Sequence, residues 1–230
     1  MEKILTNVRI IDPSQKIDEI GNIIIDEKGK IKSIGKKTKP SDASKKVEKI
    51  DLKGNIAIPG IVDMKAFVGE PGFEYKENFR TLSKAALAGG VTSIVTMPNT
   101  KPVIDNVSMV DFIIRRGRDK AKVNLYPCAA ITRQLEGQQM SEFGLLKERG
   151  IIGFSDVNKT IQNTELMSRI MNYASDLDTL IMQHAEDYEL AKNSCINEGE
   201  VATRLGLQGV SDIAERIIIE RDLSLLSEFP

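Results

Sequence analysis

The chain has 230 residues, 41% apolar and 28% charged, with a formal net charge of −1. That length allows a large core and one or two domains, and the charge balance gives no electrostatic case for nucleic acid or membrane partners. Two cysteines, Cys128 and Cys195, exclude a disulfide framework and suit a reducing cytoplasm. Met1 to Ile11 alternates and carries charge, so it does not read as a signal peptide, and no apolar run approaches the roughly 18 residues of a membrane span. The single histidine, His184, limits any zinc hypothesis, because zinc sites want several N or S ligands.

In chain order, Lys3 to Ile10 alternates as a strand. Asn22 to Asp26 and Ile31 to Ile34 flank a Glu27-Lys28-Gly29-Lys30 turn and predict a hairpin. Lys36 to Lys49 is polar, contains Pro40 and predicts a solvated loop. Val47 to Ile50 and Asn55 to Ile58 read as further short strands. Residues 1–58 are therefore expected to form a small β-rich domain.

After Pro59 the pattern becomes strand then helix, repeated. Ile61 to Met64, Val91 to Met97, Lys122 to Ala130, Ile151 to Phe154 and Thr179 to His184 read as strands. Helices are expected over Glu77 to Ala88, from an Asn106 cap through Arg118, around Met140, Phe143 and Leu146, over Asn163 to Ser175, and from Ser211 onward. The last should bury Ala214, Ile217, Ile218, Leu225 and Leu226. This alternation implies parallel βαβ units in residues 59–230. Periodicity alone leaves a doubly wound sheet and an incomplete barrel both open. A flavodoxin-like domain would need a phosphate loop, and Gly89-Gly90 ends a helix instead of opening one.

The segment from Pro59 to Gly72 resembles the signature of the dihydroorotase branch of the amidohydrolase superfamily, P-G-x-x-D-x-H-x-H-x-R-E-P-G. Pro59, Gly60, Asp63, Glu70, Pro71 and Gly72 match it. Lys65 and Phe67 stand at its histidine positions and Gly69 at its arginine position. Further resemblances follow in order: Ala85 through Ser93, Met97-Pro98-Asn99-Thr100, Phe154-Ser155-Asp156, His184-Ala185-Glu186-Asp187, and Glu198 through Glu215. The resemblance implies an α/β fold: a TIM-type (β/α)8 barrel behind a small β-sandwich, here with about five βα units. It makes the stop at Pro230 read as a truncation.

The resemblance also implies chemistry. Family members open or close a cyclic amide with zinc-activated hydroxide, since zinc lowers the pKa of bound water from about 15.7 to about 7. By resemblance, His184 and Asp156 stand at metal-ligand positions, and Asn99 at a contact to the substrate carboxylate. Lys65 is a candidate for replacing metal charge and binding that carboxylate; phenylalanine cannot ligate, so Phe67 cannot serve. Gly69 offers no equivalent of a bidentate arginine clamp. Each residue has a plainer reading: Lys65 as a solvated lysine beside a core Phe67, Asn99 as a turn residue, Asp156 as a capping or turn aspartate, His184 as a hydrogen-bonded histidine. Arg115, Arg116 and Arg118 suit the negative end of a helix dipole.

Two functions are expected from this pattern. One is a dihydroorotase homologue of pyrimidine biosynthesis, impaired or non-catalytic, with zinc absent or incomplete, associating with aspartate carbamoyltransferase in an oligomer. The other is an active zinc-dependent cyclic amidohydrolase completed by residues beyond Pro230.

Overall fold

The computed structural model describes residues 1–43 and 47–228, and divides into two units, Met1–Gly60 and Ile61–Pro230. In the first unit β1 (Glu2–Asp12) pairs antiparallel with β2 (Ile17–Ile25), which pairs antiparallel with β3 (Ile31–Gly35). The β2–β3 turn forms because Asp26 accepts from the amides of Lys28 and Lys30, at 2.9 and 2.8 Å. β4 (Val47–Asp51) and β5 (Ile56–Ala57) pair parallel with successive stretches of β1. Between these stretches the β1 register shifts, and Asn7 sits at the break with φ 54°, in the left-handed region that asparagine tolerates. Val8, Ile10 and Ile23 are buried together on one face, the period of two expected of a half-covered sheet. These described strands form one five-stranded mixed sheet. Pro40–Asp42 makes a single 3-10 turn inside the expected loop, of which residues 44–46 lie outside the described residues.

The second unit begins with β6 (Ile61–Ala66), followed by α1 (Phe79–Ala88), β7 (Val91–Thr96), α2 (Val107–Lys120) and β8 (Asn124–Pro127). Then come α3 (Phe143–Glu148), β9 (Gly153–Phe154), α4 (Thr164–Asp176) and β10 (Leu180–Ile181). β6, β7 and β8 pair parallel in that order. A parallel bridge from Ala129 to Phe154 carries the order on to β9, and β9 pairs parallel with β10. Each strand therefore neighbours the next in the chain, with no reversal of order such as a doubly wound sheet shows at its switch point. The carboxyl ends of these strands consequently lie along one rim.

Asparagine side chains set the helix starts. Asn78 accepts from the amides of Arg80 and Thr81, Asn106 from Met109, and Asn163 from Leu166. The core lies between helices and sheet, where Phe143 stacks on Phe154 at 3.7 Å between ring centroids, among Ile104, Ile113, Leu146 and Ile170.

Three details differ from the sequence expectation. The fourth and fifth strands shorten to two residues each, because their flanks turn into rim loops. Short elements appear beyond β10 where no periodic pattern pointed to them: α5 (Tyr188–Ala191), β11 (Ile196–Asn197), α6 (Glu200–Leu205) and β12 (Gly209–Val210). In α7 (Ile213–Leu226), Ala214 and Ile218 are buried, but Ile217 and Leu226 are 44% and 54% exposed. The docked stripe runs through Ala214, Ile218, Arg221 and Leu225, and it is partly polar. Arg221 donates to the carbonyls of Ile161 and Gln162 at 2.8 and 3.1 Å, a face that apolar counting alone misplaces.

Candidate functional site

The rim formed by the strand ends gathers Lys65, Met97, Ser155, Val157, His184 and Glu215 around a cavity of about 260 Å³. Carboxyl ends of parallel strands are where α/β proteins place ligands. Lys65 sits at the end of β6; its Nζ reaches across to the Val157 carbonyl at 3.3 Å. Val157 holds φ 63°, unusual for a β-branched residue, in a turn where its amide donates to Ser155 Oγ at 3.0 Å. Phe67 lies one residue beyond the strand, half-buried, with its ring 6.1 Å from that of Phe73. Lys65 and Phe67 thus do not converge: the first faces the cavity and the second packs under the following loop.

Gly69 is buried with φ 73°, and a Cβ there would lie 2.7 Å from the Glu77 carbonyl oxygen and 2.8 Å from that of Phe73. No side chain can replace it without moving backbone, so this loop has no room for an arginine at that position. Its neighbour Glu70 is buried. It accepts from Arg116 Nε at 2.8 Å and from the Phe79 amide at 3.1 Å, tying the loop to α2 and to the start of α1. Sequence reasoning placed Arg116 on a helix dipole and missed this ion pair. The partners are 46 residues apart, and no local signal chose among Arg115, Arg116 and Arg118.

Asp156 follows β9 and is buried. Its Oδ1 accepts from the Thr132 amide at 3.0 Å and its Oδ2 from the Thr132 hydroxyl. Burial pushes its pKa up, and the Thr132 hydrogen bonds oppose that rise. Thr132 is the residue that sequence reading omitted. His184 follows β10, with Nε2 2.8 Å from Glu186 Oε2 and its carbonyl accepting from the Thr160 hydroxyl. Gln183, beside it, spends both ends of its amide: Oε1 accepts from the Ile161 amide and Nε2 donates to Asp222. Asn99 Oδ1 is buried with no hydrogen-bond partner among the described residues, an arrangement that native proteins seldom leave unexplained. Cys128 is buried and its thiol is pushed well above the ordinary range, chiefly by burial; Cys195 is exposed.

Residues 54–228 match the sequence pattern of the family described as Dihydro-orotase-like. The chain belongs to that family. It is 44% identical over 229 residues to a dihydroorotase of Syntrophus aciditrophicus, covering 100% of this chain and 53% of that protein. It is 42% identical over 229 residues to a dihydroorotase of Geobacter metallireducens, again covering 53% of it. The chain therefore spans about half the length of the curated relatives it matches. Among solved structures, an L-hydantoinase (dihydropyrimidinase) from Arthrobacter aurescens superposes with a TM-score of 0.74 at 19% identity, over 99% of this chain and 51% of that one. A dihydroorotase structure superposes with a TM-score of 0.58 at 13% identity, over 97% and 62%. These likenesses show that the mixed α/β fold is that of the amidohydrolases.

The zinc implied by the family can be tested against the donors present. An ammonium repels a cation and a benzyl group cannot ligate, so Lys65 and Phe67 supply nothing. Asp156 directs both oxygens at Thr132, and the His184 Nε2 is engaged by Glu186. Zinc wants three or four converging N, O or S donors. Among the described residues no group of three or more His, Cys, Asp or Glu is placed to hold a metal ion. This donor set does not fit zinc.

Proposed function

We propose that this protein is a dihydroorotase-like component of de novo pyrimidine biosynthesis whose own residues do not carry out metal-dependent hydrolysis, and that it acts beside aspartate carbamoyltransferase as a structural partner in the cytoplasm. The observation that carries the reading is the fate of the two strand-end positions. Lys65 turns to the Val157 carbonyl and Phe67 packs on Phe73, where the chemistry needs two converging imidazoles. Gly69, whose conformation excludes a side chain, supports it independently, because a substrate carboxylate loses its clamp there. Neither reason depends on the other.

In architecture we infer five βα units of a (β/α)8 barrel, supported by the sequential parallel order from β6 to β10, and an N-terminal unit built toward a composite β-sandwich. Asn99 keeps one role in this reading: its amide, turned so that Nδ2 faces outward, could donate to a carboxylate, and its orphaned oxygen marks a side chain not fixed by its own fold.

The test is direct. Purified protein, supplied with zinc and then dialysed, is analysed for bound metal and assayed for interconversion of dihydroorotate and N-carbamoyl-aspartate. Metal-free, inactive protein that co-elutes with aspartate carbamoyltransferase is expected. Stoichiometric zinc with turnover would overturn the reading.

A further inference from the structure

The rim cavity holds a cation and a carboxylate that have no partner of opposite charge among the described residues. Among the described residues, Lys65 Nζ is engaged by the Val157 carbonyl alone. Glu215, in the first turn of α7, makes no hydrogen bond or ion pair among the described residues. Both line the same cavity of about 260 Å³, yet they do not pair with each other. Of the neutral polar groups there, Ser155 Oγ accepts from the Val157 amide, the Gln183 amide is used at both ends, and His184 Nε2 lies against Glu186. The rest of the lining includes the apolar side chains of Met97, Val157 and Met182.

Such a lining selects by charge at two points. A simple anion would meet Lys65 but also Glu215; a simple cation would meet the reverse. A short molecule with both charges satisfies each. The adjoining cavity of about 470 Å³ shares His184 and Glu215 and adds Glu186, Glu198 and Asp212, so the negative side of the rim is the α7 side. The volume is below the roughly 300–1,000 Å³ typical of sites for drug-sized ligands. We propose that this cavity binds a small aliphatic α-amino acid as its zwitterion, with the carboxylate on Lys65 Nζ, the ammonium on Glu215 and the side chain against Met97 and Met182. The inference rests on the reading above that no zinc occupies the rim.

Calorimetric titration of the whole protein with L-valine, N-acetyl-L-valine and L-valinamide tests it, with zinc content measured on the same sample. Saturable binding of L-valine is expected, with each neutralised analogue weaker by roughly tenfold or more, the loss of one charge-assisted contact. Lys65→Met and Glu215→Gln should each weaken L-valine binding similarly. Because the ligand series uses the unaltered protein, the test stands even where a variant does not fold. Metal-free protein that does not bind L-valine, or binds valinamide or acetylvaline as well, overturns this inference and leaves the proposed function standing. Protein carrying stoichiometric zinc overturns both.

Discussion

Two stretches on either side of Phe67 have opposite fates, though one signature spans them. In the loop Gly69–Gly72, Gly69 and Glu70 are buried, and the exposed Gly72 runs close against neighbouring backbone. Glu70 is locked by Arg116 and the Phe79 amide, and a Cβ on Gly72 would lie 2.2 Å from the Lys101 carbonyl oxygen. At the strand end, Lys65 is exposed and held by one hydrogen bond to a carbonyl. The same short segment thus contains residues that build the fold and a residue that faces the rim cavity. Glu70 and Gly72 match the signature quoted above, whereas Lys65 and Gly69 do not. Steric closure and metal coordination depend on different side chains, so a recognisable frame is not by itself evidence for the chemistry.

Substitutions can break this contrast. Gly72→Ala should be the most damaging, costing about 3 kcal/mol or more, since the Cβ meets backbone and φ is 95°; urea unfolding measures it. Arg116→Met should cost about 1–3 kcal/mol by leaving the buried Glu70 carboxylate short of a donor, though the half-exposed arginine admits some water in its place. Finding either variant as stable as the parent would show that the loop is not the rigid frame described here.

Asp156→Asn sharpens the comparison through pH. The folded pKa of Asp156 is raised above its ordinary value of 3.8, so the folded state holds this proton more tightly than the unfolded chain. Stability is therefore lost as pH rises from about 3.8 through the folded pKa, and that cost persists above it. The asparagine variant lacks the cost, so its stability relative to the parent should improve from pH 3 to pH 7. Urea midpoints across that range would show it; a difference independent of pH would refute the assignment. Smallest of all, Lys65→Met should change stability by less than about 0.5 kcal/mol, as expected of an exposed side chain outside the frame. A large loss in that thermal or urea measurement would make Lys65 part of the scaffold.

Much of the helical pattern was legible along the chain. Asn106 and Asn163 sit ahead of amphipathic runs, and their side chains cap α2 and α4 as local hydrogen-bond geometry requires. The α1 helix begins two residues later than its pattern suggested, because Asn78 takes the cap. The candidate site was legible as positions but not as geometry. Thr132 and Asp156 are 24 residues apart, and no local feature marks them as partners. Ile217 read as core because α7 looked amphipathic, yet the docked face carries Arg221 and Asp222, whose partners Ile161, Gln162 and Gln183 come from other segments.

The sequence by itself determined the alternation of strands and helices, the Asn106 cap, the family, and the presence of Lys65 and Phe67 where the signature it resembles has histidines. These follow from periodicity, short-range hydrogen bonding and side-chain chemistry, none of which needs distant neighbours. Only the tertiary structure decided that the strands stand side by side in chain order, that Glu70 belongs to Arg116 and Asp156 to Thr132, and that Lys65 and Glu215 share a cavity unpaired. Those outcomes depend on which distant groups the packed chain brings within hydrogen-bond reach, and that distance is fixed by the fold as a whole.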